Sequence, residues 1–184
     1  MQVKGTGIIP ILEYVKRRHA DRYDEWVNSL SDEAKKIFTS PILYSNMYPC
    51  GPAIIEPTEK MCRLFFNGDR QGAREMGKFA AEFALKGVLK IFIRVASPHF
   101  VMQRVSAIFG SYFSEGQMVV TSKHANGCTL QIRNFPEPHV LQDIRIAGWM
   151  ERGLELCGCR GIRVEMTQSA GKGDPVTEYV LEWA

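Results

Sequence analysis

Two cysteines separated by a single glycine are the closest pair of thiols in the chain, and thiols are potential metal ligands. Cys157 and Cys159 lie near each other, and His124, Cys128 and His139 could add ligands only if the fold brings them in. A structural zinc site needs about four ligands in a tetrahedral arrangement. A buried cysteine at a helix end and a second one in a turn explain the pair more simply. We therefore expect no zinc and no other metal, and this pair is the candidate if a metal is present.

Histidine could do a second kind of chemistry, because a neutral imidazole can bind haem iron as an axial ligand. His99 begins a helix rich in apolar side chains, but it sits in the first turn of that helix. His19 ends a basic run, His124 lies near a hairpin tip and His139 follows a proline. Surface or capping roles suit these positions better. We therefore expect no haem.

Nucleophilic catalysis has no complete motif in the sequence. No glycine-flanked nucleophile elbow is present. The segment 170-AGKGD-174 is similar to a phosphate-binding loop, but it lacks the full glycine spacing and lies between predicted strands, so we interpret it as a turn. An enzyme with a dispersed site stays open, for example a thiol-dependent one that uses Cys50 or Cys157, and it would need a thiol of low pKa. Whether the chain is an enzyme is not decided.

Charge and composition exclude several classes of partner. The net charge of the 184 residues is +3, and the arginines are scattered over different helices. Without a basic stripe that carries interleaved aromatics, nucleic-acid binding is not expected. The sequence contains no run of 18 apolar residues, so no membrane span is predicted. The first residues do not have the pattern of a signal peptide. Five cysteines, an odd number without framework spacing, indicate reduced thiols in a cytoplasmic protein.

The elements that must position these residues fall into two parts. Residues 116–184 predict two strands, a helix and two more strands, with alternating apolar residues that indicate a sheet with one buried face. The boundaries are 117–123 and 128–133, joined through Asn126-Gly127, then a helix over 137–157, then 161–167 and 176–183, joined through 170–175. The helix is expected to cover the apolar face of the sheet.

Residues 1–115 predict helices only. The clearest is the amphipathic helix over 69–87, whose small residues suit close packing against another element. Ser97 and Pro98 predict the start of a further helix. The fold class predicted is α+β, with N-terminal helices packed on a C-terminal four-stranded antiparallel sheet and an intervening helix, in one domain over 1–184.

Aromatic side chains on these helices are the remaining functional signal. Such residues usually form a core, but ligand sites are also mostly apolar with few polar groups, and composition does not separate the two cases. If a pocket exists, the apolar stripes predict that it is lined by Phe79, Phe83, Phe109, Tyr112 and Trp149.

Several short motifs carry a resemblance over almost the whole chain. They are 47-MYPCGP-52, 97-SPHF-100, 109-FGSYFSEGQ-117, 134-NFPEP-138 and 173-GDPVTEYVLEW-183. On these motifs the chain resembles an uncharacterised bacterial family with many paralogues in myxobacteria. Its second half also resembles the 4-vinyl-reductase-like ligand-binding domain, which is similar in fold to the haem nitric-oxide/oxygen-binding domain. The resemblance implies a module that encloses a small molecule between helices and sheet.

The chain departs from these relatives at their cofactor sites. Alignment on Gly173-Asp174 puts Thr177 and Ser169 where some 4-vinyl-reductase-like domains carry zinc-binding cysteines. The haem-binding relatives carry a Tyr-x-Ser-x-Arg motif, and here Tyr112 and Ser114 are followed by Gly116 at the arginine position. The resemblance therefore implies an apolar ligand without zinc or haem.

We expect a domain that binds a small hydrophobic molecule and reports its presence to a signalling partner or to a second copy of itself. The alternative is a structural or protein-interaction module with a filled core. A cavity between the helices and the sheet would separate the two hypotheses.

Overall fold

The computed structural model describes residues 1–85 and 104–184. Its elements follow the α+β order predicted from the sequence, which is confirmed. In the first half they are β1 (Gln2–Lys4), α1 (Gly5–Arg18), α2 (Tyr23–Asn28), α3 (Asp32–Thr39), β2 (Met47–Pro49), α4 (Glu56–Phe65) and α5 (Gln71–Leu85). In the second half they are α6 (Val105–Tyr112), β3 (Gln117–His124), β4 (Gly127–Arg133), α7 (Val140–Leu156), β5 (Arg163–Gln168) and β6 (Thr177–Glu182).

The four C-terminal strands form one antiparallel sheet in the order β3-β4-β6-β5. Alternate residues of β4 face the core, as the sequence pattern predicted. In the register of β4 and β6, Leu130 lies opposite Tyr179 and Cys128 lies opposite Leu181, and all four are fully buried. Helix α7 packs on the apolar face. The Nδ1 atom of His139 caps its start by accepting a hydrogen bond from the backbone N–H of Leu141 at 3.2 Å.

Two local predictions need correction. The first half is not purely helical, because β1 and β2 pair as a two-stranded antiparallel sheet; three-residue strands are too short to give a readable alternation. The β3–β4 turn consists of Ala125 and Asn126, and Gly127 is the first residue of β4. Glycine is needed there for space, since a Cβ at Gly127 would lie 2.4 Å from the backbone carbonyl oxygen of Leu181. The predicted helix start at 97–98 lies outside the described residues.

Helices α5 and α7 cross with their backbones almost in contact. A Cβ at Gly77 would lie 1.9 Å from the carbonyl oxygen of Arg145, and one at Gly148 would lie 2.1 Å from that of Arg74. Side chains flank the crossing: Glu151 on α7 accepts from Arg74 Nε at 2.8 Å and pairs with Lys78 Nζ at 2.7 Å. The small residues of α5 therefore serve close helix packing at this point.

Buried apolar side chains form two clusters. The helical cluster lies among the N-terminal helices, and the sheet cluster lies between α7 and the four-stranded sheet. Members of the helical cluster include Ile8, Ile11, Trp26, Met61 and Met76. Members of the sheet cluster include Leu130, Met150, Leu154, Tyr179 and Leu181. Among the helices of residues 1–85 and 104–184, none is long and apolar enough to cross a membrane.

Candidate functional site

A cavity lies where the N-terminal helices meet α7. Helices α1, α5, α6 and α7 supply most of its lining, together with Val3, Ile54 and Met118. Its volume is about 80 Å³ and its surface is almost wholly apolar. That volume exceeds what one water molecule needs and is smaller than a pocket for a drug-sized ligand. The cavity can therefore hold a small apolar group as it stands, and a larger ligand would displace part of the lining.

A cation is buried in the wall of this cavity. The side chain of Arg145 projects from α7, and the residue is only 7% exposed. Its Nη2 atom donates a hydrogen bond of 2.6 Å to the backbone carbonyl of Gly7, which links α7 to α1. Its Nε atom is buried and has no hydrogen-bond partner among residues 1–85 and 104–184. Burial lowers the pKa of Arg145 to about 10, so the guanidinium keeps its positive charge at neutral pH.

A buried amide lies one helical turn before this arginine. Gln142 is 3% exposed and lines the same cavity, and its Oε1 atom has no hydrogen-bond partner among the described residues. Residues three apart on a helix lie on the same face, so the two polar side chains enter the cavity side by side. Most buried polar atoms in native proteins are hydrogen-bonded. Two unpartnered polar groups in one apolar cavity therefore set it apart from ordinary packing defects.

The structure brings together three of the five aromatic residues predicted for a pocket. Phe109 and Tyr112 on α6 and Trp149 on α7 all line the cavity. Phe79 and Phe83 lie elsewhere on α5: the Phe79 ring meets Tyr14 edge-on at 5.2 Å and stacks with Phe83 at 6.3 Å. The side of α5 toward α7 carries small residues because of the glycine crossing, so bulky rings must point away from it. The ligand-binding role of all five residues stays a prediction.

A second cleft, of about 610 Å³, lies beside Phe79 and between the ends of α1, α4 and α7. It is larger, but several of its charged side chains are paired within the protein. Arg152 pairs with Glu82 and, at 2.5 Å, with Glu155. These pairs neutralise part of the charge in the cleft, and its lining is much more polar than that of the apolar cavity. The smaller cavity with the buried cation is the better candidate site.

The cysteines are placed for packing. Burial raises the pKa of Cys50 to about 12 and that of Cys157 to about 11. A reactive thiol needs a low pKa, so neither position has the environment that a thiol-dependent enzyme would require. Cys157 and Cys159, the metal candidates, are both half-buried free thiols. In the described part of the chain, no group of three or more His, Cys, Asp or Glu side chains is placed to hold a metal ion.

A hydrogen-bond network occupies the positions aligned with zinc-binding cysteines. The buried carboxylate of Asp143 accepts from Ser169 Oγ at 2.6 Å and from Thr177 Oγ1 at 3.0 Å. The backbone N–H of Gly171 donates to it at 3.2 Å, and the hydroxyl of Tyr179 donates to its backbone carbonyl at 2.9 Å. These contacts attach the β5–β6 connection to the first turn of α7. The hydroxyl groups of Ser169 and Thr177 thus hold the β5–β6 hairpin to α7 through hydrogen bonds.

Sequence reasoning missed Arg145 and Gln142. Both residues are polar and were assigned no role on the helix predicted over 137–157. The signal that could have found them is their spacing, since Arg145 is three residues after Gln142 and four before Trp149, on one helical face. A polar side chain on an apolar face often extends its charged end to solvent. Spacing alone does not show whether such a side chain is buried or extends to solvent.

The comparisons with known proteins identify the fold and no sequence family. No protein-family model matches the chain, and no curated protein matches its sequence. Solved H-NOX structures are similar over nearly the whole chain. An Fe(II) unliganded H-NOX protein from K. algicida has a TM-score of 0.69 at 11% identity, over 98% of this chain and 96% of that one. An H-NOX protein from S. oneidensis in the Fe(II)NO state has a TM-score of 0.73 at 10% identity, over 98% and 99%.

A third similar structure, described as probing haem distortion in the H-NOX family, has a TM-score of 0.72 at 11% identity and covers 98% of this chain and 94% of that one. These neighbours overturn our expectation that haem has no place here. That expectation gave decisive weight to single positions, Gly116 and His99, and His99 lies outside the described residues. The similar structures, by contrast, are described with haem or iron and match nearly the whole chain in fold. The resemblance to the haem nitric-oxide/oxygen-binding fold extends to both halves, and the chain therefore has the H-NOX fold over nearly its full length.

Proposed function

We propose that this chain is a sensory domain that binds a small, largely apolar molecule in the cavity between α1, α5, α6 and α7. The observation that carries the proposal is the cavity itself, which joins an almost wholly apolar lining to a buried, incompletely hydrogen-bonded cation. Ligand sites commonly combine apolar walls with a few polar groups that orient the ligand. The H-NOX fold of the chain supports the same function.

Binding would act on the protein by shifting a conformational equilibrium. A ligand that exceeds the volume of about 80 Å³ fits only a packing in which part of the lining has moved outward, and it stabilises that packing. Met118 on β3 and Met150 on α7 line the cavity and belong to the sheet cluster. Displacement of the lining would therefore reach the sheet, from which a signalling partner or a second copy of the chain could detect it.

The alternative of a filled core is less well supported. It requires close packing at the junction between the N-terminal helices and α7, and the cavity lies at that junction. A cytoplasmic location is part of the proposal and is supported by five free cysteines, since such thiols are typical of reducing compartments.

Haem is a candidate for the bound molecule. Part of the lining suits such a group, since Arg145 has an Nε without a partner among the described residues for a propionate, and apolar walls such as those of Phe109 and Trp149 suit a macrocycle. The cavity of about 80 Å³ would have to expand to hold it. Tyr112, Met118 and Met150 also line the cavity and are residue types that bind haem iron in other proteins. When bound, haem would supply an iron centre that can bind a gas such as nitric oxide.

Native mass spectrometry of the freshly purified protein tests this function, because it detects a retained molecule and the number of subunits together. A cavity-filling variant provides the second test. Ala80→Leu adds three carbon atoms at the cavity wall, whereas Ala84→Leu adds the same atoms one turn further along α5, outside the lining described for the cavity. We expect Ala80→Leu to lose the retained molecule and the rise in melting temperature that apolar ligands cause, and Ala84→Leu to keep both. Equal binding by the two variants would contradict the proposal.

A further inference from the structure

The cation in the cavity wall has no acidic partner in the part of the chain that the structure describes. Among residues 1–85 and 104–184, no carboxylate forms an ion pair with Arg145, and the backbone carbonyl of Gly7 is its hydrogen-bond acceptor. The remaining segment, 86–103, contains no Asp or Glu in its sequence. The missing negative charge therefore cannot come from a side-chain carboxylate of that segment.

A buried guanidinium without an anion is costly. Buried charges in proteins are normally paired, because removing an ion from water is repaid only by a close counter-charge and good hydrogen bonds. One hydrogen bond to Gly7 satisfies one of the five N–H donors of the side chain. A neutral residue could link α7 to α1 without the cost of burying a charge. The side chain is better explained by a counter-charge that arrives with the ligand.

We propose that the ligand is an amphipathic carboxylate, with its apolar body in the cavity and its anionic end bound by Arg145 beside Gln142. This inference rests on the proposed function and specifies the chemical class of its ligand. The unpartnered Nε and the remaining guanidinium donors present a planar set of N–H groups, which suits the two oxygens of a carboxylate.

The neighbouring amide is suited to the same group. The side-chain amide of Gln142 can present either its oxygen or its NH2 group to the cavity, because rotation by a half turn exchanges the two. With the NH2 group toward the ligand it donates a hydrogen bond to the carboxylate. With the oxygen toward the ligand it accepts from a hydroxyl or from a water molecule that accompanies the anion. Both buried polar atoms without partners in this cavity are then satisfied by one ligand.

The carboxylate could come from two sources, a fatty acid or a haem propionate. Octanoate tests the first source, and octanol is its matched control because it has the same chain length without the negative charge. We expect octanoate to raise the melting temperature of the full-length protein and to bind roughly 10- to 100-fold more tightly than octanol in calorimetric titration, as a hydrogen-bonded charge implies. Haemin tests the second source, with a Soret absorption band as the readout.

Arg145→Met removes the charge and keeps a long apolar side chain. We expect this variant to be at least as stable as the wild type without ligand, since replacing a buried charge by an apolar group is often neutral or stabilising. Binding of octanoate should weaken roughly 10- to 100-fold, and binding of octanol should be unchanged. Arg152→Met is the control, because it makes the same substitution on the same helix at a residue that lies in the second cleft.

The outcomes separate this inference from the proposed function. Preference for octanoate that is lost in Arg145→Met and kept in Arg152→Met supports the inference with a fatty carboxylate as ligand. A haemin Soret band with the same dependence on Arg145 supports it with haem as the source. Equal binding of octanoate and octanol overturns the inference and leaves the apolar-ligand function standing. Absence of a retained molecule, together with no response to any of the three probes, overturns both.

Discussion

The partly buried side chain of His19 is packed in its neutral form, and protonation would destabilise this packing. His19 stacks on the ring of Phe65 with the ring centroids 3.9 Å apart and the planes 8° from parallel. Its Nε2 atom is buried, and no group in the described part of the chain forms a hydrogen bond with it. Burial lowers the pKa of His19, which outweighs the opposing effect of Asp21. The neutral ring is therefore the form that the folded protein accommodates.

This environment predicts a dependence of stability on pH. Because the pKa is lower in the folded than in the unfolded state, the unfolded chain takes up the proton first as the pH falls below about 6.5. The contribution of His19 to the free energy of unfolding is thus present above that pH and is lost as the pH falls toward the folded pKa. His19→Phe keeps a ring on Phe65 and cannot titrate. Melting temperatures between pH 7.5 and 5 should fall more for the wild type than for this variant, and identical slopes would contradict the assignment.

Pairs of elements are fixed by contacts that tolerate no added atoms. The crossing of α5 and α7 is the closest such contact, because Gly77 and Gly148 each face a backbone carbonyl of the other helix. Gly153 lies on the same helix α7, and among the described residues a Cβ there would meet only ring carbon atoms of Trp149, at 3.7 Å or more. Gly148 is therefore required for the close packing of α5 on α7, whereas Gly153 is not.

The matched pair Gly148→Ala and Gly153→Ala tests this difference. Gly148→Ala should lower the free energy of unfolding by about 3 kcal/mol, because the helices must separate to admit the methyl group. Gly153→Ala should raise it by about 0.5–1 kcal/mol, since alanine loses less conformational entropy in a helix and the added methyl group would meet the Trp149 ring at ordinary van der Waals distance. Urea denaturation measures both values. A similar change in the two variants would show that the crossing is not the constraint.

At the scale of the whole molecule, the helical cluster and the sheet cluster are physically joined. Trp149 and Phe113 pack against both, and the hydrogen bond from Arg145 to Gly7 crosses the same junction. Neither cluster can lose its packing without exposing part of the other. The proposal that residues 1–184 form one domain has its physical basis in these contacts.

One cooperative unfolding transition is the expected consequence. Differential scanning calorimetry of the protein should give a single peak whose calorimetric and van't Hoff enthalpies agree. Trp149→Ala should lower the free energy of unfolding by about 3 kcal/mol or more. Its calorimetric peak should then shift to a lower temperature without splitting in two. Two resolved peaks in the wild type would instead mean that the clusters unfold separately.

Local patterns were sufficient to predict much of the architecture. The alternation around Leu130 and Val164 specifies strands with one buried face, and the apolar stripe of α5 specifies its helix, because both depend on neighbours within a few residues. The pairing of β1 with β2 joins segments that are far apart in the chain, and neither strand is long enough to show a period. The position of the β3–β4 turn was shifted by one residue because Gly127 is required by its neighbours in space.

The site was predictable only in part, for a related reason. Phe109, Tyr112 and Trp149 fall on the cavity because they lie on apolar stripes of helices that face the junction. Phe79 lies on a comparable stripe, but the glycine crossing determines which side of α5 faces α7, and that crossing is a tertiary contact. The burial of Arg145 depends on α1 lying over it, which no feature of its own helix reveals.

The two glycines at the crossing also restrict how the protein can respond when a molecule enters. If α5 slid along α7 by one residue, Met76 or Trp149 would meet a backbone at a place that admits only a hydrogen atom. The pair can pivot about that point but cannot translate. Room for an occupant must then come from the opposite wall, which is α1 and α6. Helix α6 is followed in the chain by β3, which is an edge strand of the sheet. Binding of a ligand would therefore be transmitted to the surface of the domain as a movement of β3.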